Sequence, residues 1–267
     1  MTVHVIQQSR HRLAGLGRGF LGVLKNTGSD LLLLGRTLLY TPYVFGRSRE
    51  VLRQMYVTGA ASLPVTLLVA FFTGMVLALQ TGISLLRWGL QDEIGTIVTA
   101  SMSREMGPIW TGIVLAARVG AGMAAELGTM KVSEELDALE VMSIDPAKYL
   151  VMPRLVALVL MAPILTIYAS IVGVLGGAVV GYHQIGVSYT RYFQNGLDAL
   201  ALKDIYSGLV KSVVFAIIIT TVGCGQGMKS TSGAEGVGNA TRNTVVLSLI
   251  LIIAFNYFIT SITRWIV

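Results

Sequence analysis

Two adjacent charged residues, Arg104 and Glu105, interrupt an apolar stretch that runs from about residue 94 to residue 128. A charge inside a membrane-spanning helix costs roughly 2.5 to 3.5 kcal/mol, so such residues usually face a cavity or a partner. Neighbouring residues on a helix point in different directions, so this pair cannot neutralise itself along one face. Two interpretations therefore stay open. The pair lies among headgroups against another helix, or it lines a polar or amphiphile-binding cavity.

Two further charges, Arg118 and Glu126, lie in the same stretch, eight residues apart. Two helical turns separate them by about 12 Å along one face, which is too far for direct contact. We expect them to anchor the inner end of this helix rather than to bind a substrate.

The segment 133–146 places carboxylates between apolar residues at helical spacing, and Pro146 cannot continue the helix. We predict a short amphipathic helix, within about 131–147, that leaves the membrane and docks on a partner through both its apolar and its acidic residues. The residues predicted to contact that partner are Glu134, Glu135, Leu136, Asp137, Leu139, Glu140, Met142 and Asp145.

The sequence carries no motif for catalysis, nucleotide binding or metal binding. The run GCGQGMKS at 223–230 has the lysine and serine of a phosphate loop, but Met228 replaces the required glycine and no strand precedes it. His4, His11 and His183 are scattered without carboxylates at ligand spacing, and Cys224 is the sole cysteine. We therefore expect a non-catalytic chain without a cofactor or metal of its own.

Composition predicts a membrane protein. The 267 residues are 54% hydrophobic and only 13% charged, where soluble domains average about 25% charged, and the mean hydropathy is +0.71. Uncharged runs of 33, 36 and 21 residues at 54–86, 155–190 and 243–263 exceed the ~20 residues that span a bilayer. A fourth run, 212–228, has 17 residues, so whether it spans fully is left open. The predicted fold is an all-α polytopic membrane protein with about five transmembrane helices, at 59–86, 94–128, 155–182, 211–228 and 243–263.

The N-terminal region, residues 1–57, holds eight of the twenty basic residues among leucines at helical spacing. This pattern predicts an interfacial helix region ahead of a transmembrane domain at 58–267, with Lys and Arg at the headgroups. The first long apolar run begins near residue 58, too late for a signal peptide. With the N-terminus inside, inner segments carry 13 basic residues and outer segments carry five, as the positive-inside rule requires. That bias explains the pI near 9.5 without nucleic-acid binding.

Small residues recur at every fourth position of the second predicted span. They place one small-residue face along the helix, which lets helix backbones approach closely in lipid. We call this face the small-residue rib: Gly112, Ala116, Gly120, Ala124 and Gly128.

The run AARVGAGMAAELGTMKVSEELDALEVMSIDP at 116–146, followed by Pro153 and Arg154, resembles the MlaE/YrbE permease family. The family pattern of Ala-Glu-x-Gly-x-Met followed by a helix ending in Asp-Pro is met at 125–130 and 145–146. Further agreement at GMVLALQ, SREMGP, KSVVFAI and TRNTVV extends it over most of residues 50–260. Ala117, Ala121 and Glu135 depart from the usual Gly, Ser and Gln, and the last adds charge to the partner-facing helix.

The resemblance implies the membrane subunit of an ABC transporter that works with MCE-domain proteins on phospholipids. It implies a homodimer in the bacterial inner membrane with a lipid cavity between the copies. ATPase subunits that bind ATP and Mg²⁺ would dock on the helix within 131–147, and MCE-domain lipid-binding subunits would lie on the periplasmic side. The N-terminus would then be cytoplasmic and the C-terminus periplasmic, and transport would maintain outer-membrane lipid asymmetry.

A phospholipid site needs a cation beside an apolar wall. The first span supplies the wall, and Lys211 begins the fourth span on the same side as Arg104. We predict a cavity open towards the outer side, with Glu105 tuning or gating it. The predicted cavity residues are Met75, Leu79, Gln80, Ile83, Arg104, Glu105, Met106 and Lys211.

Two other functions compete with this one. In an ion-coupled secondary transporter the embedded charges would relay ions, but five spans do not divide into inverted repeats. A non-transporting membrane scaffold would tolerate neutralisation of Arg104 and Glu105. Copurification with an ATPase separates the permease from both.

Overall fold

The structure, a computed structural model, describes residues 28–231 and 233–266, which fold as a bundle of helices. The predicted interfacial region is covered only from residue 28, and its first 27 residues lie outside the described residues. In chain order the α-helices are α1 (28–39), α2 (Ser48–Thr58), α3 (Leu63–Leu86), α4 (Ile94–Ser101), α5 (Gly107–Leu115), α6 (Ala121–Val132), α7 (Glu135–Val141), α8 (Met152–Val180), α9 (Tyr189–Ala199), α10 (Leu202–Met228) and α11 (Gly233–Ile266).

Five helical segments in the described part are long and apolar enough to cross a membrane, which confirms the predicted fold class. They are Ser48–Leu86, Gln91–Val132, Ala147–Ile185, Leu202–Met228 and Gly233–Thr263. The fourth segment is a continuous helix of 27 residues. At 1.5 Å per residue it extends about 40 Å, more than the ~30 Å hydrocarbon core. The uncharged run 212–228 underestimates the length of this helix, because the helix continues through the charged residues Lys203, Asp204 and Lys211.

The second segment is not one regular helix. π-helical turns at Met102–Met106 and Ala116–Gly120 separate α4, α5 and α6. The first turn ends just before Pro108, whose ring nitrogen has no hydrogen to donate to the carbonyl of Arg104. The predicted span 94–128 contains Pro108 and is longer than the ~20 residues that cross a bilayer, so a tilt, a kink at this proline or an extension beyond the bilayer is expected. The structure has a π-helical turn directly ahead of that proline.

Two ends of the bundle can be distinguished. At the α7 end lie α2, α7, the π-helical turn Ala147–Val151 and the start of α8. At the α9 end lie α9, the π-helical turn Gly181–Ile185 and the start of α10. Helix α9 falls within the polar stretch between the third and fourth spans, and its Tyr192 is buried.

Helices α3 and α8 approach each other closely through small residues. On α3 the buried positions recur every fourth residue, at Thr66, Ala70, Gly74, Ala78 and Gly82. A methyl group built on Gly74 would overlap the backbone carbonyl of Gly173 on α8. This contact depends on the absence of a side chain, because in lipid close packing rather than hydrophobicity holds helices together.

The small-residue rib of the second span is buried against α10 and α11. A methyl group on Gly120 would lie 3.1 Å from Ile219 and 3.5 Å from Thr244. The α10 residues Gly223 and Gly227 face the rib, where added methyl groups would each lie 2.9 Å from a rib carbonyl oxygen. The rib therefore sets the distance between the second span and the last two.

We predict that Gly74→Ala lowers the melting temperature of the protein in detergent. The new methyl group forces the α3 and α8 backbones apart, and overpacking of this kind costs about 1 to 3 kcal/mol. Gly122→Ala is the matched control, because a methyl group there meets nothing within 4 Å. Both substitutions gain the same helix propensity. Equal melting temperatures of the two variants would contradict the close α3–α8 contact.

Candidate functional site

A buried ion pair joins the second and fourth spans. Lys211 Nζ lies 2.7 Å from Glu105 Oε1 and donates a hydrogen bond of 3.0 Å to the carbonyl oxygen of Arg104. That carbonyl is the one that Pro108 leaves without its helical donor, so the lysine replaces the missing N–H. The Lys211 side chain is 0% exposed. An ammonium this deeply buried requires the partners that it has here.

The carboxylate of Glu105 is held from α11 as well. It accepts hydrogen bonds from Thr260 Oγ1 at 3.0 Å and from Asn256 Nδ2 at 3.2 Å. Glu105 therefore connects three spans through one side chain, and its position depends on how α11 packs.

The neighbouring arginine pairs with an acidic residue that the sequence did not single out. Arg104 donates to Asp204 Oδ1 from Nη2 at 2.6 Å and from Nε at 2.9 Å. Asp204 is buried, whereas the Arg104 side chain is 46% exposed. We call Arg104, Glu105, Asp204 and Lys211 the charge cluster; two cations and two anions make it neutral. A hundred residues separate Arg104 from Asp204, so helical spacing could not reveal their contact.

The structure corrects the predicted role of Lys211. We expected it to face an open cavity, but it is enclosed and its ammonium is bound by Glu105 and the Arg104 carbonyl. Arg104 keeps an exposed surface, so it is the cation of the cluster that a ligand could reach.

The predicted apolar wall does not enclose a cavity within one chain. Met75, Leu79 and Met106 are partly buried against the core formed by α3, α4, α8 and α9, while Gln80 and Ile83 are exposed on the outside of α3. An apolar cavity of about 330 Å³ lies instead between α4, α8, α9 and α10. It is lined by Val174, Phe193 and Ile205, among others, and by Ser103 next to Arg104.

The acidic segment forms a helix that is shorter than predicted. Helix α7 has seven residues and ends at Val141, before Pro146. Leu136 is buried in the chain's own core and Leu139 packs against that core, so Leu136 cannot supply area to a partner. The exposed apolar residues are Val141 at 86% and Met142 at 60%. Helical spacing alone placed Leu136 on the surface that contacts a partner, but the chain's own core covers this leucine.

The carboxylates around α7 differ in their surroundings. Glu134, Glu135 and Glu140 are exposed, while Asp137 pairs with Lys131 at 2.6 Å. Asp145 accepts hydrogen bonds from Tyr40 Oη at 2.9 Å and from the backbone N–H of Ala147 at 2.8 Å. The Asp145 carboxylate raises the pKa of the Tyr40 phenol, because it accepts a hydrogen bond that only the protonated phenol can donate. Asp145 thus fixes the start of the third span to the segment that follows α1.

The two remaining charges of the second span bind other spans near the α7 end. Arg118 donates to the carbonyl oxygen of Ala61, ahead of α3. Glu126 Oε1 lies 2.9 Å from Arg154 Nη2, at the start of α8. Among residues 28–231 and 233–266, no group of three or more His, Cys, Asp or Glu residues could hold a metal ion.

Five candidate membrane spans, a charge cluster that joins three of them and an exposed acidic helix at one end define a polytopic α-helical membrane protein with internal polar contacts. The family model "Permease MlaE" matches residues 51–262. The chain belongs to the MlaE permease family.

Individual relatives agree with this assignment. The chain is 32% identical over 251 residues to the intermembrane phospholipid transport system permease protein MlaE of Haemophilus influenzae, covering 94% of this chain and 96% of that protein. It is 44% identical over 212 residues to a probable ABC transporter permease protein of Rickettsia typhi, covering 79% and 82%. It is 39% identical over 213 residues to the chloroplastic protein TRIGALACTOSYLDIACYLGLYCEROL 1 of Arabidopsis thaliana, covering 80% of this chain and 61% of that protein.

We predict that Glu105→Gln destabilises the protein more than the double variant Glu105→Gln/Lys211→Met. The single change leaves a buried ammonium without its counter-ion, and breaking a buried pair in this way costs about 3 to 5 kcal/mol. The double change removes both charges and keeps most of the buried volume, and leaving the Arg104 carbonyl without its donor costs less, about 1 to 3 kcal/mol. Thermal unfolding in detergent measures the difference. If the double variant were the less stable of the two, the buried lysine would not depend on Glu105.

Proposed function

We propose that this chain is the permease subunit of an ABC transporter that moves phospholipid, and that a separate subunit hydrolyses the ATP. The match of the MlaE family model to 212 residues, 51–262, carries this proposal. The name of the Haemophilus relative supplies the substrate class, and that of the Rickettsia relative supplies the transporter class. ATP and Mg²⁺ would be bound by the partner, and this chain would bind no cofactor.

The charge cluster and the surfaces beside it support an amphiphile as substrate. Arg104 is partly exposed at the α9 end of the bundle. Its Nε and Nη2 donate to Asp204, and its Nη1 could donate to the phosphate of a lipid. Apolar side chains for acyl tails are available on both sides: the predicted wall on α3 and the 330 Å³ cavity that begins at Ser103. Each buried CH₂ of a tail would contribute ~0.8 kcal/mol.

A second copy of the chain would convert the open wall into a closed cavity. Only 11% of the most apolar stretch of α11 is buried within the described part of one chain. The large apolar side chains on α11 that remain exposed are Val246, Leu247, Ile250, Ile253, Phe255, Tyr257, Phe258 and Ile262. Asn256 and Thr260 of α11 donate hydrogen bonds to Glu105. A dimer through α11 would therefore place the charge cluster beside the interface.

The proposed orientation follows from charge. The α7 end would lie in the cytoplasm, where the larger number of basic residues belongs, and the C-terminus would be periplasmic. In a bacterial inner membrane the α7 surface would then face the ATPase, and the α9 end would face MCE-domain lipid-binding subunits. Transport between the inner membrane and the periplasm or outer membrane would serve outer-membrane lipid asymmetry.

Transport itself can be tested with the permease and its ATPase reconstituted in liposomes. We expect ATP-dependent movement of a fluorescent phospholipid, and Arg104→Gln should slow it at least about tenfold, since losing a charge-assisted hydrogen bond costs about 1.5 to 3 kcal/mol. Arg191→Gln is a control for the loss of an arginine–aspartate pair at the α9 end, because Arg191 pairs with Asp92 at 2.8 Å on an exposed surface. The melting temperature of Arg104→Gln is also compared with that of the wild type, because this change leaves Asp204 buried without its cation.

The outcomes separate the competing functions. Movement that continues without nucleotide would support a secondary transporter instead. Full transport in Arg104→Gln, or equal loss in the control, would remove Arg104 from the substrate site.

A second experiment tests the docking surface. Val141→Arg should release the ATPase during copurification, because it places a bulky cation at the exposed apolar residue that ends α7. The melting temperature should not change, since Val141 contributes little to the core. Leu202→Arg is the control, as Leu202 is 85% exposed at the other end of the bundle. An ATPase that stays bound to Val141→Arg as firmly as to the wild type would exclude this surface.

A further inference from the structure

A polar cavity of about 650 Å³ opens at the α7 end of the bundle, away from the charge cluster. Its walls come from α2, from α6, and from the chain around the start of α8. The charged residues in its lining are Arg47, Arg49, Glu50, Arg53, Glu126 and Arg154. Four arginines against two glutamates leave a net charge of two positive, so the cavity attracts anions.

Two of these arginines are held in place by the protein. The Arg47 guanidinium lies 4.0 Å from the centre of the Tyr149 ring and donates to the Tyr149 carbonyl oxygen at 3.0 Å. Arg154 is 3% exposed, and its Nη2 pairs with Glu126. Its other terminal nitrogen, Nη1, is also buried, and the guanidinium lies beside the thiol of Cys224 on α10. These contacts fix Arg154 as a positive charge in the wall of the cavity.

The other two arginines are available at the mouth of the cavity. Arg53 is largely exposed and only 3.8 Å from Glu50, a long contact for an ion pair. Arg49 is exposed and has no ion-pair partner in the part of the chain that the structure describes. Guanidinium groups offer paired donors that match the oxygens of a phosphate.

The surface next to the cavity is apolar. Leu52 and Tyr56 are exposed on α2, three residues beyond Arg49 and Arg53 respectively. That spacing places the arginines and the apolar residues on one side of the helix. Helix α2 begins the first candidate span, Ser48–Leu86, so this side descends from the headgroups into hydrocarbon. A soluble anion would use only the arginines, whereas a lipid would use both parts of the surface.

We propose that this cavity binds the phosphate of an anionic phospholipid from the leaflet at the α7 end, with the acyl chains lying along Leu52 and Tyr56. The bound headgroup would bridge α2 to the start of α8 next to Arg154. That the leaflet is cytoplasmic rests on the orientation in the proposed function. The site itself does not, because it is separate from Arg104 and from the outer side where the transported lipid would bind.

The test uses the full chain in nanodiscs of phosphatidylcholine with and without phosphatidylglycerol, followed by native mass spectrometry of the lipids that remain bound. Wild type should retain phosphatidylglycerol in preference to phosphatidylcholine. The double variant Arg49→Gln/Arg53→Gln should bind it about thirtyfold more weakly, since each arginine near an anionic lipid contributes about fivefold. Both side chains are exposed, so the fold should survive, and a normal melting temperature checks this.

Two matched variants define what the result means. Arg49→Lys/Arg53→Lys keeps the charge and should retain most of the binding. Arg87→Gln/Lys203→Gln removes the same charge from exposed positions at the α9 end and should leave phosphatidylglycerol retention unchanged. Equal loss in this control would show general attraction to anionic bilayers and would overturn the proposal.

Three further outcomes would also overturn it. One is no preference for phosphatidylglycerol in the wild type. Another is that inorganic phosphate raises the melting temperature of the wild type but not of the Gln variant, without any lipid preference, which would assign the cavity to a soluble anion. The last is a Gln variant that keeps phosphatidylglycerol but no longer copurifies with the ATPase, which would make this surface a protein contact. None of these experiments needs transport, so a failure here is distinct from a failure of the proposed function.

Discussion

The internal structure of this bundle depends on a single buried lysine. Lys211 balances Glu105 and supplies the donor that Pro108 denies to the Arg104 carbonyl. A proline in a membrane helix leaves a carbonyl that water cannot reach, so a neighbouring helix must satisfy it. Here that neighbour is α10, and the same ammonium positions the carboxylate that binds α11. The second span, α10 and α11 therefore meet at the π-helical turn before Pro108. Arg104 lies in the same turn and remains partly exposed.

Close packing of small residues explains the rest of the architecture. Gly74 meets the Gly173 carbonyl between α3 and α8, and the small-residue rib meets α10 and α11. Such contacts require no hydrophobic driving force, which lipid does not provide. They hold α3 to α8 and the second span to α10 and α11, but leave most of the most apolar stretch of α11 uncovered within the described chain. This uncovered helix is the main structural support for a second copy, and it lies directly beside the charge cluster.

The α7 end shows how local and distant contacts together shape a surface. The sequence alone placed carboxylates and apolar residues on a short helix, and that helix exists. The helix is shorter than predicted, and Leu136 was wrongly placed on the contact face, because the chain's own core covers it. The predicted contact residue Met142 remains exposed, and so does Val141. The basic cavity nearby was not predicted at all. Its arginines come from two separate segments, 47–53 and 154, which only the fold brings together.

The sequence by itself determined the class of this protein: long uncharged runs exceed the thickness of a bilayer, and a long specific motif resembles one permease family. It also indicated the charged positions that matter, since a charge in an apolar helix is costly wherever it stands. Only the tertiary structure decided their partners. Asp204 reaches Arg104 across a hundred residues, and Lys211 turns inward rather than towards a cavity. Helical periodicity gives the face of one helix, whereas the partner of a buried charge depends on which helices pack together and at what depth.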